Sequence, residues 1–422
     1  MATSIQKPKF NFAKLFVVGL GFFGVSVLWS AYNTYVPLLL ANKFALDAAV
    51  IGFFMTLDNI AALFIQPLVG SWSDRMRSPL GRRLPFILIG APIAAIAFGL
   101  VPLASALPLF VACTVTTILA MAFWRTPVVA LMPDVTPSVY RSQANGIINF
   151  MGGLGVVIGS SIAATLVKNN PAAPFWFASG LMLFSAALVL IFVREPKLHQ
   201  TEVSEIRPGL LQSLKELFSK EYRAGLGIFF AILFWFIAYN AIEAFLSLYG
   251  VNFLGLSESD AGRLTTSVSF AFLIFAIPSG FLGAKLGRKR TILTGIGIMA
   301  AVLVVTFIWQ TQNITRVLTK LPILGNIMPL SILLMLAGIG WSFININSLP
   351  MVVDLTDSSR VGTFTGLYYL FSTLAAILGP IINGFIIRLT GNNYGTIMIL
   401  GPIFFALAFI AMLSVQRGEA KS

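Results

Sequence analysis

Twelve stretches of this chain are long and apolar enough to cross a bilayer, and nothing else in the sequence limits its fold so strongly. A membrane helix needs roughly 20 mostly apolar residues. The stretches run over about 15–41, 49–72, 84–106, 108–133, 143–168, 173–194, 224–252, 260–286, 290–310, 328–353, 360–390 and 393–416. The first is too long and too polar (Trp29, Tyr32, Asn33) for a cleaved signal peptide, and no small-residue cleavage site follows it. Composition agrees: 57% of the 422 residues are hydrophobic and 10% are charged, whereas soluble domains carry about 25% charged residues. A soluble enzyme, a nucleic-acid binder and a disordered scaffold are thereby excluded. The only cysteine is Cys113 and the only histidine is His199. A disulfide framework, a thiolate or histidine metal site and a Ser-His-Asp apparatus are not expected. No phosphate-binding loop is evident, so ATP-driven pumping is not expected; no cofactor is expected beyond a coupling ion.

The formal net charge of +13 has a topological reading. With both termini on one side, 21 of the 28 Lys and Arg fall in the segments of that side, and six (Lys43, Lys168, Arg263, Arg316, Lys320, Arg388) fall on the other. Arg125 lies inside a span. By the positive-inside rule both termini are expected in the cytoplasm, with the chain in the plasma (inner) membrane. The cations then hold topology and meet anionic lipid rather than nucleic acid.

The longest polar stretch, 195–223, divides six spans from six and predicts three parts: a bundle over 1–194, a cytoplasmic linker over 195–223 and a bundle over 224–422. LLQSLKELF within the linker reads as a short amphipathic helix. The halves are related. PDVTPSVYRSQANG at the end of span four matches VDLTDSSRVGTFTG at the end of span ten. The Asp134-to-Gly146 spacing recurs in Asp354 to Gly366, and Gly146 to Gly159 in Gly366 to Gly379, all offset by 220 residues. GSWSDRMRSPLGRR after span two matches GFLGAKLGRKR after span eight, with Gly70 and Gly280 offset by 210. Two six-helix bundles in parallel repeat, all-α with 12 transmembrane helices, are the major facilitator arrangement.

The loop residues have physical reasons. Asp74 can take a charge-assisted bond from an arginine or a helix N-terminus. Arg75, Arg82 and Arg83 suit phosphate headgroups. Ala284 stands where Asp74 stands in the first copy, so the two latches are expected to be unequal. Asp134 with Arg141, and Asp354 with Arg360, are expected as salt links or helix caps at the cytoplasmic ends. Glycines of span five (Gly152, Gly153, Gly155, Gly159) and from Gly366 to Gly379 suit close helix packing.

The pattern GxxSDRxxSxxGRRxPFI together with ALMPDVTPSVYRSQANG resembles the glycoside–pentoside–hexuronide:cation symporter group of the major facilitator superfamily. Within it, YNTYVPLLL and YNAIEAFLSLYG are similar to the sucrose-carrier branch and its bacterial relatives. The resemblance implies proton- or cation-coupled movement of a sugar, often a disaccharide or glycoside. It stops short of the ion sites. Where melibiose-type members carry paired carboxylates, this chain has Ala62 and Gln66; where plant sucrose carriers carry an Asp and an Arg, it has Ile118 and Val129.

The coupling groups are therefore sought among polar residues inside the spans, where an ionised group costs at least ~2.5–3.5 kcal/mol on insertion scales. Asp58, Arg125 and Glu243 lie well inside. Asp58 and Glu243 each sit about nine residues from an outer span end, roughly 14 Å deep. A carboxyl in oil favours its neutral form, which suits a proton carrier. Arg125 is a candidate partner of Asp58, although their depths differ by ~11 Å; Asp134 is the rival partner. The offset of 210 sets Asn33 opposite Glu243. Trp29, Tyr32 and Asn33 on span one, with Tyr239, Asn240 and Glu243 on span seven, form the candidate sugar site: rings for apolar CH faces, amides and a carboxylate for hydroxyls. Asn149 and Asn345 are added as ligand groups, with Asn145, Ser348, Gln66, Tyr368 and Tyr369 in reserve; helix–helix glue is the competing role for each.

These residues predict a secondary sugar symporter, a functional monomer, driven by protons with sodium as the alternative ion. Proton-driven export of drugs or amphiphiles is the competing function. A sensor or lipid scramblase is a third, weakened by the lack of a large soluble signalling domain.

Overall fold

A computed structural model describes residues 12–136, 141–195, 226–309, 311–355 and 361–415. The helices are α1 (Phe12–Asn42), α2 (Ala48–Phe54), α3 (Leu57–Arg75), α4 (Leu84–Leu100), α5 (Leu107–Val135), α6 (Arg141–Leu166) and α7 (Ala173–Phe192). After the linker come α8 (Leu226–Leu248), α9 (Glu258–Leu286), α10 (Arg288–Ile308), α11 (Thr311–Ile314), α12 (Pro329–Val353), α13 (Val361–Leu389) and α14 (Ile397–Leu413). Among the described residues twelve helical spans are long and apolar enough to cross a membrane. Helix is the solution oil permits for such segments, because each backbone N–H and C=O is paired within its own segment. Large apolar side chains such as Phe64, Ile96, Ile191 and Phe281 are exposed, the surface that lipid tails cover. The linker helix expected within 195–223 lies outside the described residues.

Two local features depart from the expected all-helical pattern. Span two is not one helix: it breaks after Phe54, and α3 starts at Leu57. No proline or glycine marks the break. Instead the Thr56 hydroxyl donates to the Phe53 carbonyl (2.7 Å) while the Thr56 carbonyl accepts from Ile60 N (3.0 Å). Thr56 thus ends one helix and starts the next. Before span ten, β1 (Thr319–Leu321) pairs antiparallel with β2 (Gly325–Ile327), Thr319 opposite Ile327. Gly325 turns the chain with φ +69°, a conformation that favours glycine.

The described residues group into two compact units: 12–29, 61–136, 141–159 and 175–195 in the first, and 30–60, 160–174, 226–309, 311–355 and 361–415 in the second. In the first unit α6 lies close on α1: a Cβ on Gly155 would stand 2.5 Å from the Phe23 carbonyl oxygen. In the second unit α2 packs on α13 with glycine on both sides. A Cβ on Gly52 would run into the Pro380 carbonyl, and one on Gly384 into the Ala48 carbonyl. The α6 end and α9 start are joined by Thr266 Oγ1 to Ser160 Oγ (2.8 Å), Arg263 to Thr165 Oγ1 (2.8 Å) and Ser259 to the Ala164 carbonyl. Arg263 and Ser161 also both donate to the Ile323 carbonyl in the β1–β2 turn (3.1 and 2.5 Å). Not every repeat glycine packs closely. Gly146 and Gly366 have nothing within 4 Å of a built Cβ, whereas one on Gly379 would stand 2.6 Å from the Ile237 carbonyl oxygen.

Candidate functional site

In α8, Trp235, Ile237, Ala238, Ala241, Ile242 and the whole turn after Ala244 are buried, while Phe236, Tyr239, Asn240 and Glu243 are half-exposed. These four recur at helical spacing along one stripe. A carboxylate and an amide on a part-exposed stripe of a membrane helix turn away from lipid, since ionisable groups in spans face bundle interiors or aqueous cavities. On α1 the half-exposed positions Phe22, Ser26, Trp29 and Asn33 form a similar stripe.

In the second unit the polar ends of these stripes meet: Asn33 Nδ2 donates to Glu243 Oε1 at 3.1 Å. Asn240 commits its amide nitrogen to the Phe236 carbonyl of its own helix (2.7 Å). Asp58 stands in the first turn of α3, immediately after the break in span two, and accepts from Asn59 Nδ2 (2.9 Å). It lies within electrostatic reach of both Glu243 and the Tyr32 hydroxyl. Tyr32 is fully buried and off the stripe.

An aromatic wall backs the stripe. Tyr239 stacks on Trp341 of α12, with centroids 3.8 Å apart and planes 6° apart. Phe236 meets Trp341 edge-on (5.3 Å, 88°) and Tyr368 edge-on (6.2 Å, 81°). The Tyr368 hydroxyl is bonded to Ser348 (3.0 Å). Asn345, one turn beyond Trp341, is half-exposed, while Asn347 turns into the protein and donates to the Ser279 carbonyl (3.1 Å). In the first unit Arg125 is exposed on α5, and Asn149 is exposed and bonded to Asn145 (Nδ2 to O, 2.8 Å).

The aspartates expected as latch residues, Asp134 and Asp354, are both in ion pairs among the described residues. Asp134 is held by Arg82 Nε (3.1 Å) and Arg83 Nε (2.9 Å). Arg83 also binds Asp74 and Ser73, and Arg75 is exposed in the last turn of α3. Asp354 is held by Arg288, which also donates to the Pro350 carbonyl (2.8 Å). The Arg141 side chain and Arg360 lie outside the described residues. The partners that are seen come from the loop motif because Gly81 (φ +112°) and Gly287 (φ +96°) turn the chain immediately before those arginines. Both copies use this device, so Gly-Arg in each repeat was the signal for it.

Glu195, unassigned from the sequence, accepts the backbone N–H groups of Arg82 (2.9 Å), Arg83 (2.7 Å) and Leu84 (2.9 Å) at the start of α4. The matching place in the second unit has the reverse chemistry: Lys289 Nζ donates to the last carbonyls of span twelve, Val415 (2.6 Å) and Leu413 (2.9 Å). Each charge complements the helix end it covers. Glu195→Ala strands donors at the α4 start and is expected to cost about 1–3 kcal/mol, read as a lower thermal midpoint of the purified protein with Glu195→Gln falling between.

Comparison with known proteins decides the family. The family model described as Major Facilitator Superfamily matches residues 18–263 and 251–422. This chain belongs to the Major Facilitator Superfamily. Multidrug resistance protein 2 of Bacillus subtilis (strain 168) is 24% identical over 336 residues, 75% of this chain and 81% of that one. The isoprimeverose transporter of Lactiplantibacillus pentosus is 22% identical over 333 residues, 75% of this chain and 68% of that one. The crystal structure of a variant of nucleoside transporter NupG matches with TM-score 0.75 at 15% identity, covering 96% of this chain and 100% of that one; at that identity it speaks for the fold. A member of the Major Facilitator Superfamily with twelve spans is a multi-pass membrane transporter, not an enzyme.

Sequence reasoning reached Asn33 and Glu243 through the repeat offset. It missed Trp341, because a tryptophan in an apolar span reads as core, and it missed Phe236 for the same reason.

Proposed function

We propose that this transporter is a proton-coupled symporter of sugars, disaccharides or glycosides, of the glycoside–pentoside–hexuronide:cation group, working by alternating access between bundles 1–194 and 224–422. One observation carries the reading: a carboxylate–amide pair, Glu243 with Asn33, beside an aromatic wall on a half-exposed stripe. Sugars need rings for their CH faces and polar groups that both donate and accept. The likeness to an isoprimeverose transporter supports the same substrate class. On the charge asymmetry of the loops both termini are cytoplasmic, in the plasma membrane.

The coupling follows from two acids within reach of one another. A like charge acting on a carboxylate disfavours its ionised form. A proton on Asp58 would remove a like charge acting on Glu243, and Glu243 accepts sugar hydroxyls once Asn33 releases it. An ion that stabilises the loaded state differently from the empty one can drive the cycle. The latches Arg82/Arg83–Asp134 and Arg288–Asp354 then break and reform as the cycle turns.

The test is a thermal-shift panel of xylose, glucose, sucrose, melibiose and isoprimeverose at two pH values, followed by uptake into vesicles with an inward proton gradient. A shift and uphill uptake are expected for at least one sugar; no shift and no uptake reject the reading. Sodium gradients in place of proton gradients decide the ion. The name of the Bacillus subtilis relative favours a second reading, export of drugs; dye efflux with no sugar response would establish it. Asp58→Asn is expected to retain exchange of labelled sugar and to lose concentrative uptake. Intact accumulation in that variant removes Asp58 from coupling.

A further inference from the structure

We infer that Trp341 is a positioning residue that holds Tyr239 as a flat plate, and that the substrate is a pyranoside whose apolar CH face lies on the free side of that plate; this rests on the sugar reading above. The Tyr239 and Trp341 rings lie parallel, 6° apart in plane, with centroids 3.8 Å apart. Aromatic pairs by themselves prefer offset or edge-on geometry at longer centroid distances, so neighbours must impose this arrangement. Phe236 is one such neighbour, standing edge-on to the indole at 5.3 Å and 88°. Trp341 is 5% exposed, and a spacing of 3.8 Å admits nothing between the rings. A ligand therefore cannot be sandwiched. In this proposal it meets the face of Tyr239 turned away from Trp341; Tyr239 is part-exposed, whereas Trp341 is buried.

That face has a defined neighbourhood. Glu243 lies four residues on, about 6 Å further along the same stripe, with Asn33 on its carboxylate. A ring resting on Tyr239 thus reaches Glu243 with hydroxyls on its rim. A six-membered sugar fits, because its CH bonds project from the ring face while its hydroxyls radiate outward. A chain polyol offers no such face. Trp341 touches no ligand in this arrangement; it keeps Tyr239 from rotating away and spares the entropy of ordering it on binding.

The test is titration calorimetry of the purified full chain with the pyranoside that gives the largest thermal shift, compared with sorbitol. Trp341→Ala is expected to raise Kd at least about 10-fold, and Trp341→Phe, which keeps a plate behind Tyr239, to restore it to within about 3-fold. Tyr239→Phe is expected to stay within about 3-fold of the wild type, while Tyr239→Ala loses at least about 10-fold. Any sorbitol affinity should be unchanged throughout. Unchanged pyranoside affinity in Trp341→Ala overturns the plate while leaving the sugar reading intact. A wild-type protein that binds none of the sugars overturns both. Should Trp341→Ala not fold, equal affinities in Tyr239→Ala and Tyr239→Phe overturn the proposal.

Discussion

On the sugar reading proposed above, Glu243→Gln is expected to raise the Kd for the sugar by more than about 100-fold with little loss of stability. Gln keeps the side-chain length and one carbonyl oxygen, so Asn33 Nδ2, now 3.1 Å from Glu243 Oε1, still has an acceptor. What disappears is the charge. Hydrogen bonds to a charged group contribute about 1.5–3 kcal/mol each, and two sugar hydroxyls on one carboxylate would lose about 3 kcal/mol together, or two powers of ten in affinity. Equilibrium binding in detergent, with no gradient present, isolates this loss from any role of Glu243 in coupling. A thermal midpoint near that of the wild type with unchanged sugar affinity would remove Glu243 from the site. Asn33→Ala is the control on the other side. It frees the carboxylate from its intramolecular donor, so its effect on Kd should be the smaller.

How much of this was readable beforehand depends on the kind of signal. The spans were readable because hydropathy acts residue by residue: the expected 84–106 contains α4, and the expected 328–353 coincides with α12 to within a residue. The break at Met55–Thr56 was not, because neither proline nor glycine stands at it. Nor was the β1–β2 hairpin, three residues a side and secured through its turn carbonyl at Ile323. The repeat brought Asn33 and Glu243 into one sentence of reasoning, and they share a hydrogen bond. The latches were half readable. Asp134 and Asp354 were marked as ion-pair residues, but their partners were sought on the same stretch of chain. Arg82, Arg83 and Arg288 reach them from the loops, each loop turned by a positive-φ glycine; the expected partners, the Arg141 side chain and Arg360, lie outside the described residues. Glu195 was beyond reach, since its three donors lie 111 to 113 residues away and no local pattern records such a distance.

Gly52→Trp is expected to abolish uphill transport, to below about 1% of the wild-type rate, while leaving the protein folded and able to bind its ligand. The α2–α13 seam is closed backbone to backbone, with Gly52 against the Pro380 carbonyl and Gly384 against the Ala48 carbonyl. A side chain can swing aside to admit a new neighbour; a carbonyl inside a helix cannot move without breaking its bond. Overpacking costs typically 1–3 kcal/mol where side chains adjust. On the alternating-access reading proposed above, the arrangement with this seam closed should lose about 3 kcal/mol or more, a shift of two powers of ten toward one in which the seam is parted. The helices themselves are untouched, so the parted state keeps its fold. The second seam offers a reporter. Ser160 is 2% exposed and bonded to Thr266 on α9, and the only native cysteine, Cys113, is buried. A Ser160→Cys probe should react slowly with a water-soluble maleimide in the parent and at least about 10-fold faster with Gly52→Trp present if, as the alternating-access proposal requires, the α2–α13 and α6–α9 seams part together. Unchanged labelling together with normal uptake would show that the glycine seam is a packing detail and not a gate. Fast labelling with lost uptake and retained sugar binding would identify it as the surface on which the transporter closes.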